Sequence, residues 1–127
     1  EIEKYKEEVR RNPNDALAYN NLGLAYGDLG RYEEAIKSYK QAVRLDPDFA
    51  LAHYNLGLAY YASGMLRETV AANKQAIRIN PDFALAHANL GVAYLVLKDE
   101  DSALEQYTIL KKLDTEMANV LFGLINK

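Results

Sequence analysis

Apolar and polar positions alternate along this chain in blocks. The stretches 16–27, 49–64 and 83–97 contain no Asp, Glu, Lys or Arg, whereas the segments between and beyond them carry all the charge. The first charge-free block reads as a helix from about Ala16 to Leu29, and the charged block after it as a second helix from about Tyr32 to Leu45. Pro13-Asn14-Asp15 offers helix-start chemistry, because Asn and Asp side chains accept bonds from the first unpaired N–H groups. Gly30 supplies a left-handed turn between the two helices, and Asp46-Pro47 closes the second. Glu33 and Lys37 are spaced to pair across one helical turn, worth about 0.2–0.5 kcal/mol. A helix apolar on most faces is either buried all round or exposed for a partner.

The blocks repeat. Pro13, Pro47 and Pro81 fall 34 residues apart, and the same step relates Asn21, Asn55 and Asn89, Gly23, Gly57 and Gly91, and Tyr26, Tyr60 and Tyr94. ALAYNNLGLAY, ALAHYNLGLAY and ALAHANLGVAY are close copies. The units are therefore 16–49, 50–83 and 84–117. Residues 1–15 fit the second helix of a partial preceding unit, with Ile2, Tyr5 and Val9 on one face, and 118–127 a C-terminal capping helix in which Val120, Leu121, Leu124 and Ile125 face the last unit.

A 34-residue helix–turn–helix with a large ring, Leu-Gly, Tyr, Ala, an aromatic and Pro in order resembles the tetratricopeptide repeat (TPR) signature. The first unit carries it as Tyr19, Leu22-Gly23, Tyr26, Ala35, Tyr39, Ala42 and Pro47; the second as His53, Leu56-Gly57, Tyr60, Thr69, Asn73, Ala76 and Pro81; the third as His87, Leu90-Gly91, Tyr94, Ala103, Tyr107, Leu110 and Thr115. The resemblance covers essentially the whole chain. It implies an all-α fold, a right-handed superhelical solenoid of antiparallel helix pairs. Departures mark weak or terminal places. Thr69 and Asn73 predict looser packing in the second unit, Lys98 stands where Gly30 and Gly64 make the turn, and Thr115 replaces the closing proline. Glu8 and Arg11, where the pattern has Ala and Leu, suggest a chain cut from a longer protein.

The same resemblance implies that the first helix of each unit lines a groove. Its candidate binding positions are Leu17, Asn20, Asn21 and Leu24; Leu51, Tyr54, Asn55, Leu58 and Tyr61; and Leu85, Asn89, Val92 and Leu95, with Gly27, Ala88 and Val96 beside them. Asn21, Asn55 and Asn89 form a ladder that bonds either a bound peptide backbone or the neighbouring helices. Some TPR domains clamp a chaperone's terminal carboxylate with basic groove residues; those are missing here, so no carboxylate clamp is expected. The expectation is a scaffold that takes a peptide or helix of a protein partner on apolar anchors. Self-association into homo-oligomers, or a substrate-presenting segment of a larger enzyme such as a glycosyltransferase, are the alternatives.

Composition narrows the rest. A net charge of -3 with interspersed signs speaks against a nucleic-acid partner, and the longest charge-free run is shorter than the roughly 20 residues of a membrane-spanning helix. Without cysteine there are no disulfides or thiolate metal sites. His53 and His87 replace the ring of Tyr19 and read as structural, so no metal is expected. No GxGxxG, phosphate loop or nucleophile motif occurs, and neither an enzyme nor a cofactor is expected.

Overall fold

The structure, a computed structural model, describes residues Glu1–Lys127 as eight helices without strands: α1 (Ile2–Arg11), α2 (Ala16–Asp28), α3 (Tyr32–Leu45), α4 (Ala50–Ala62), α5 (Leu66–Ile79), α6 (Ala84–Val96), α7 (Glu100–Leu113) and α8 (Thr115–Ile125). Each helix packs on the next in antiparallel pairs. The even helices also touch one another in series, α2 on α4, α4 on α6 and α6 on α8, whereas no contact joins the odd helices. That asymmetry curves the stack. The even row is drawn together on the inside, and the odd row is splayed outside.

The three even-to-odd turns share one geometry. Arg31, Met65 and Asp99 donate backbone N–H groups to the carbonyls of Tyr26, Tyr60 and Tyr94, while Gly30, Gly64 and Lys98 donate to Gly27, Tyr61 and Leu95. This double bond pattern ends a helix through a left-handed residue. Gly30 (φ 73°) and Gly64 (φ 75°) adopt it freely; Lys98 (φ 66°) adopts it against the clash of its own Cβ. At the other ends, the Asp15 carboxylate caps α2 through the Leu17 and Ala18 amides, whereas α4 and α6 start behind Phe49 and Phe83 without a side-chain cap.

Packing relies on small residues. Ala35, Ala42, Ala52, Ala76, Ala86, Ala93 and Ala103 are wholly buried, which lets helices approach closely. One apolar core runs through α2–α5 around Leu22, Tyr26, Tyr39, Leu56 and Tyr60, with Ile2, Tyr5 and Val9 of α1 against it. A second joins Leu110, Ala118 and Leu121. Polar side chains are also buried on α5, α6 and α7: Thr69, Asn73, His87 and Gln106. Asn73, in the register of Tyr39, donates to the Thr69 carbonyl and leaves its own Oδ1 buried without a partner; both side chains are nonetheless fully buried, so the looser packing expected of the second unit is not seen.

The last helix departs from the expected register. One residue, Asp114, separates α7 from α8, where four separate α5 from α6. Asp114 caps α8 through the Met117 amide, so the helix begins at Thr115. The shorter link turns Ala118, Leu121 and Ile125 towards the core, while Val120 is 66% exposed and Leu124 38%. Val120 and Leu124 are therefore not buried against the last unit as expected, but stand exposed beside its α6. Leu121 also occupies the space beside Gly91, and Tyr107, expected to fill it, pairs instead with Phe122 at a centroid distance of 5.0 Å.

Candidate functional site

The inner row of helices positions the candidate groove. α4 and α6 carry no charged residue, and α2 carries one, Asp28, at its last position. With the core-facing stripe filled by Leu, Gly, Ala and Tyr, the remaining stripe is forced towards solvent although it too is apolar. Leu17, Leu51 and Leu85 are about half exposed, and Leu24 and Leu58, two turns further on, each 41%. Val92, Tyr61 and Leu95 continue the stripe half-buried.

Five other candidates behave differently. Asn20 and Asn55 are buried, and the Asn55 amide donates to Asn20 Oδ1 at 3.0 Å. Both are thus withdrawn from the groove: their hydrogen-bonding capacity ties α2 to α4. The link joins residues 35 apart rather than 34, and the replacement of Asn20 by Tyr54 and Ala88 in the later units prevents its repetition. Asn89, in register with Asn55, consequently holds a buried Nδ2 with no partner, while Asn21 remains half-buried. The three asparagines do not form an equivalent ladder. Tyr54 packs its ring on Phe83 at 5.1 Å, and burial pushes its hydroxyl pKa above the usual tyrosine value, so part of this side chain belongs to the unit junction.

Open clefts flank the exposed leucines. One lies between α2 and α4 and includes Leu24, Gly27, Asp28, Leu58 and Ala62; another, on the α1 side of α2, shares Leu24 and Asp28 and adds Glu1 and Asn21. A third, between α6 and α8, is lined by Ala88, Val92, Met117, Val120, Leu121 and Leu124, with Glu116 its one charged group. The sequence pattern predicts these α8 residues as a capping face from 118 onward, whereas α8 begins at Thr115 and leaves a cleft beside α6. The signal that finds it is Asp114, an N-cap residue directly after the last residue of α7.

Both histidine rings serve loops. His53 Nε2 lies 2.9 Å from the Pro47 carbonyl and His87 Nε2 lies 2.7 Å from that of Pro81, and an imidazole N–H donates to a carbonyl. The second ring nitrogen of His87 meets the Gln106 amide at 2.7 Å. The rings tie each inter-unit loop to the helix that follows it, and no group of three His, Cys, Asp or Glu residues gathers to hold a metal ion. No helix is long and apolar enough to cross a membrane.

Comparison with known proteins finds tetratricopeptide repeat matches at residues 4–37 and 50–83 and a TPR repeat match at 28–64. A crystal structure of MamA is 31% identical, superposes with a TM-score of 0.91, and is matched over 98% of this chain and 74% of its own. The second TPR domain of human RPAP3, solved by NMR in complex with the HSP70 peptide SGPTIEEVD, is 26% identical with a TM-score of 0.82, over 88% of this chain and 95% of its own. The first TPR of Spaghetti (RPAP3), bound to the HSP90 peptide SRMEEVD, is 23% identical with a TM-score of 0.84, over 88% and 90%, and shares the fold. No curated protein sequence matches significantly.

Proposed function

The chain belongs to the tetratricopeptide repeat family, and from that membership we propose that it holds a peptide or helical segment of a partner protein along the apolar inner faces of α2, α4 and α6. The observation that carries the reading is the leucine row. Leu17, Leu51 and Leu85 are 56%, 45% and 45% exposed at one register position, with Leu24 and Leu58 repeating the pattern at a second. Isolated surface leucines need no explanation, but an apolar stripe repeated on adjacent helices makes a contiguous patch of the kind that marks an interaction site. Burying it supplies roughly 25 cal/mol per Å² of apolar area, before the costs of ordering the partner.

Electrostatics argue against a partner of the kind bound by the RPAP3 domains. Their peptides end in EEVD, an acidic tail. Here α2, α4 and α6 contain no Lys or Arg to receive one, so we propose no carboxylate clamp. Recognition rests on apolar anchors seated at Leu24, Leu58, Leu85 and Val92, with the half-buried Asn21 available to main-chain groups. No chemistry is assigned to the groove: the chain acts by holding a partner in place.

The test is a displayed-peptide screen on the purified chain, counter-selected with the Leu58→Glu, Tyr61→Glu double variant. Peptides with spaced apolar anchors should be enriched by the wild type and lost on the variant while its helical circular dichroism is retained. Peptides held equally by both proteins would put recognition elsewhere. Self-association is the second reading, favoured by Val120 and Phe122, 66% and 45% exposed on α8. A constant monomer mass by light scattering across a dilution series would dismiss it.

A further inference from the structure

Resting on that groove reading, we infer that the occupant is a basic amphipathic segment, whose apolar side chains lie on the leucine row and whose Lys or Arg residues meet the groove's carboxylates. The three inner clefts contain three charged side chains, Glu1, Asp28 and Glu116. All are acidic, and no Lys, Arg or His lines any of the three clefts.

Asp28 carries most of the argument. It is the last residue of α2, where the negative end of the helix macrodipole disfavours a carboxylate. Ala62 and Val96 hold the same register in α4 and α6, so the repeat itself places an apolar residue there. No cation of the chain pairs with Asp28: the ion pairs are Lys6–Glu3, Arg10–Glu7, Arg11–Glu7, Arg31–Glu34 and Arg78–Asp48. The chain thus keeps an exposed, unpaired anion beside Leu24 and Leu58, against both helix electrostatics and register. A residue that breaks local rules without an internal compensation points to a use outside the fold. A ligand cation supplies the missing partner.

Glu116, in the first turn of α8, is stabilised by the helix dipole and adds negative charge without being anomalous. Its contribution is placement, at the edge of the cleft formed with Val92, Val120 and Leu124. The carboxylates thus stand at both ends of an otherwise uncharged inner row. Their field steers and selects a cationic partner, and repels acidic tails of the EEVD kind.

Phage-displayed random peptides of about 12 residues, roughly the span of a three-turn helix, would be selected on the wild type and on the Asp28→Lys, Glu116→Lys variant. Wild-type binders should be enriched in Lys and Arg over the unselected pool, and the variant's should lose or reverse that bias. One enriched peptide would then be synthesised as selected and with its Lys and Arg replaced by Gln. Fluorescence anisotropy at low salt should show Asp28→Ala weakening the basic form about two- to fivefold, as expected for one exposed ion pair, and leaving the Gln form unchanged. Urea denaturation should find Asp28→Ala at least as stable as the wild type. Enrichment of apolar peptides without charge bias would overturn the basic-segment inference and leave the groove reading standing. No enrichment at all would remove both.

Discussion

Substituting Ala for Gly23 tests the close helix approach on which each repeat is built. A methyl group there would lie 2.6, 2.7 and 2.9 Å from Cε1, Cδ1 and Cζ of Tyr39. Relaxed carbon contacts fall at about 3.5–4.0 Å, so the overlap is about 1 Å. Tyr39 is 4% exposed and its ring is rigid, which leaves separation of α2 from α3 as the main relief. The strain belongs at the upper end of the overpacking range, about 3 kcal/mol. Ala is the better helix former by about 1 kcal/mol, so the net loss is about 2 kcal/mol. With a urea slope of about 1–3 kcal/mol per molar, the midpoint followed by circular dichroism should fall by about 1 M. Gly57→Ala and Gly91→Ala should cost less, because the added methyl meets the amide end of Asn73 and a terminal methyl of Leu121. Gly123→Ala meets nothing within 4 Å and should stabilise by up to about 1 kcal/mol. In a Tyr39→Ala background the Gly23 substitution should change sign, since only the propensity gain remains. A Gly23→Ala protein as stable as wild type, with an effect independent of Tyr39, would refute the packing argument.

Two further outcomes follow from single contacts. Lys98→Gly should raise stability by about 0.5–1 kcal/mol in urea titration, because relief of a left-handed non-glycine residue exceeds the added chain entropy; Gly64→Ala should lower it by about 1–2 kcal/mol. Asn20→Leu should cost about 1–3 kcal/mol by stranding the Asn55 amide in the interior, and Asn20→Leu with Asn55→Leu should recover much of it; a change in peptide affinity with unchanged stability would instead return Asn55 to the groove.

Much of the fold was legible because its signals are local. Pro47 and Pro81 at the unit ends, Gly30 and Gly64 in the turns and the charge-free blocks bound α2–α6 to within a residue or so. Lys98 is legible as a strained turn because the repeat register puts it at the position of Gly30 and Gly64. What escaped depends on contacts across helices. The Asn20–Asn55 bond joins unlike register positions, so a pattern built on like positions assigns both residues to the groove. After the three-residue shortening before α8, Leu121 and Ile125 pack inward as expected while Val120 is left exposed, a difference that periodicity alone does not show. Asp28 is not legible in the sequence, because one acid at a helix end resembles ordinary solvated surface; its distinction lies in its missing partner and its leucine neighbours.

The central claim, that the inner leucine row receives the partner, is tested most directly by backbone amide chemical-shift mapping on the isotope-labelled chain with a peptide taken from the display screen. The account predicts perturbations concentrated on α2, α4 and α6 at Leu17, Leu24, Leu51, Leu58, Leu85 and Val92, extending to Val120 and Leu124. Perturbations confined to the outer helices α3, α5 and α7, with the inner row silent, would contradict it.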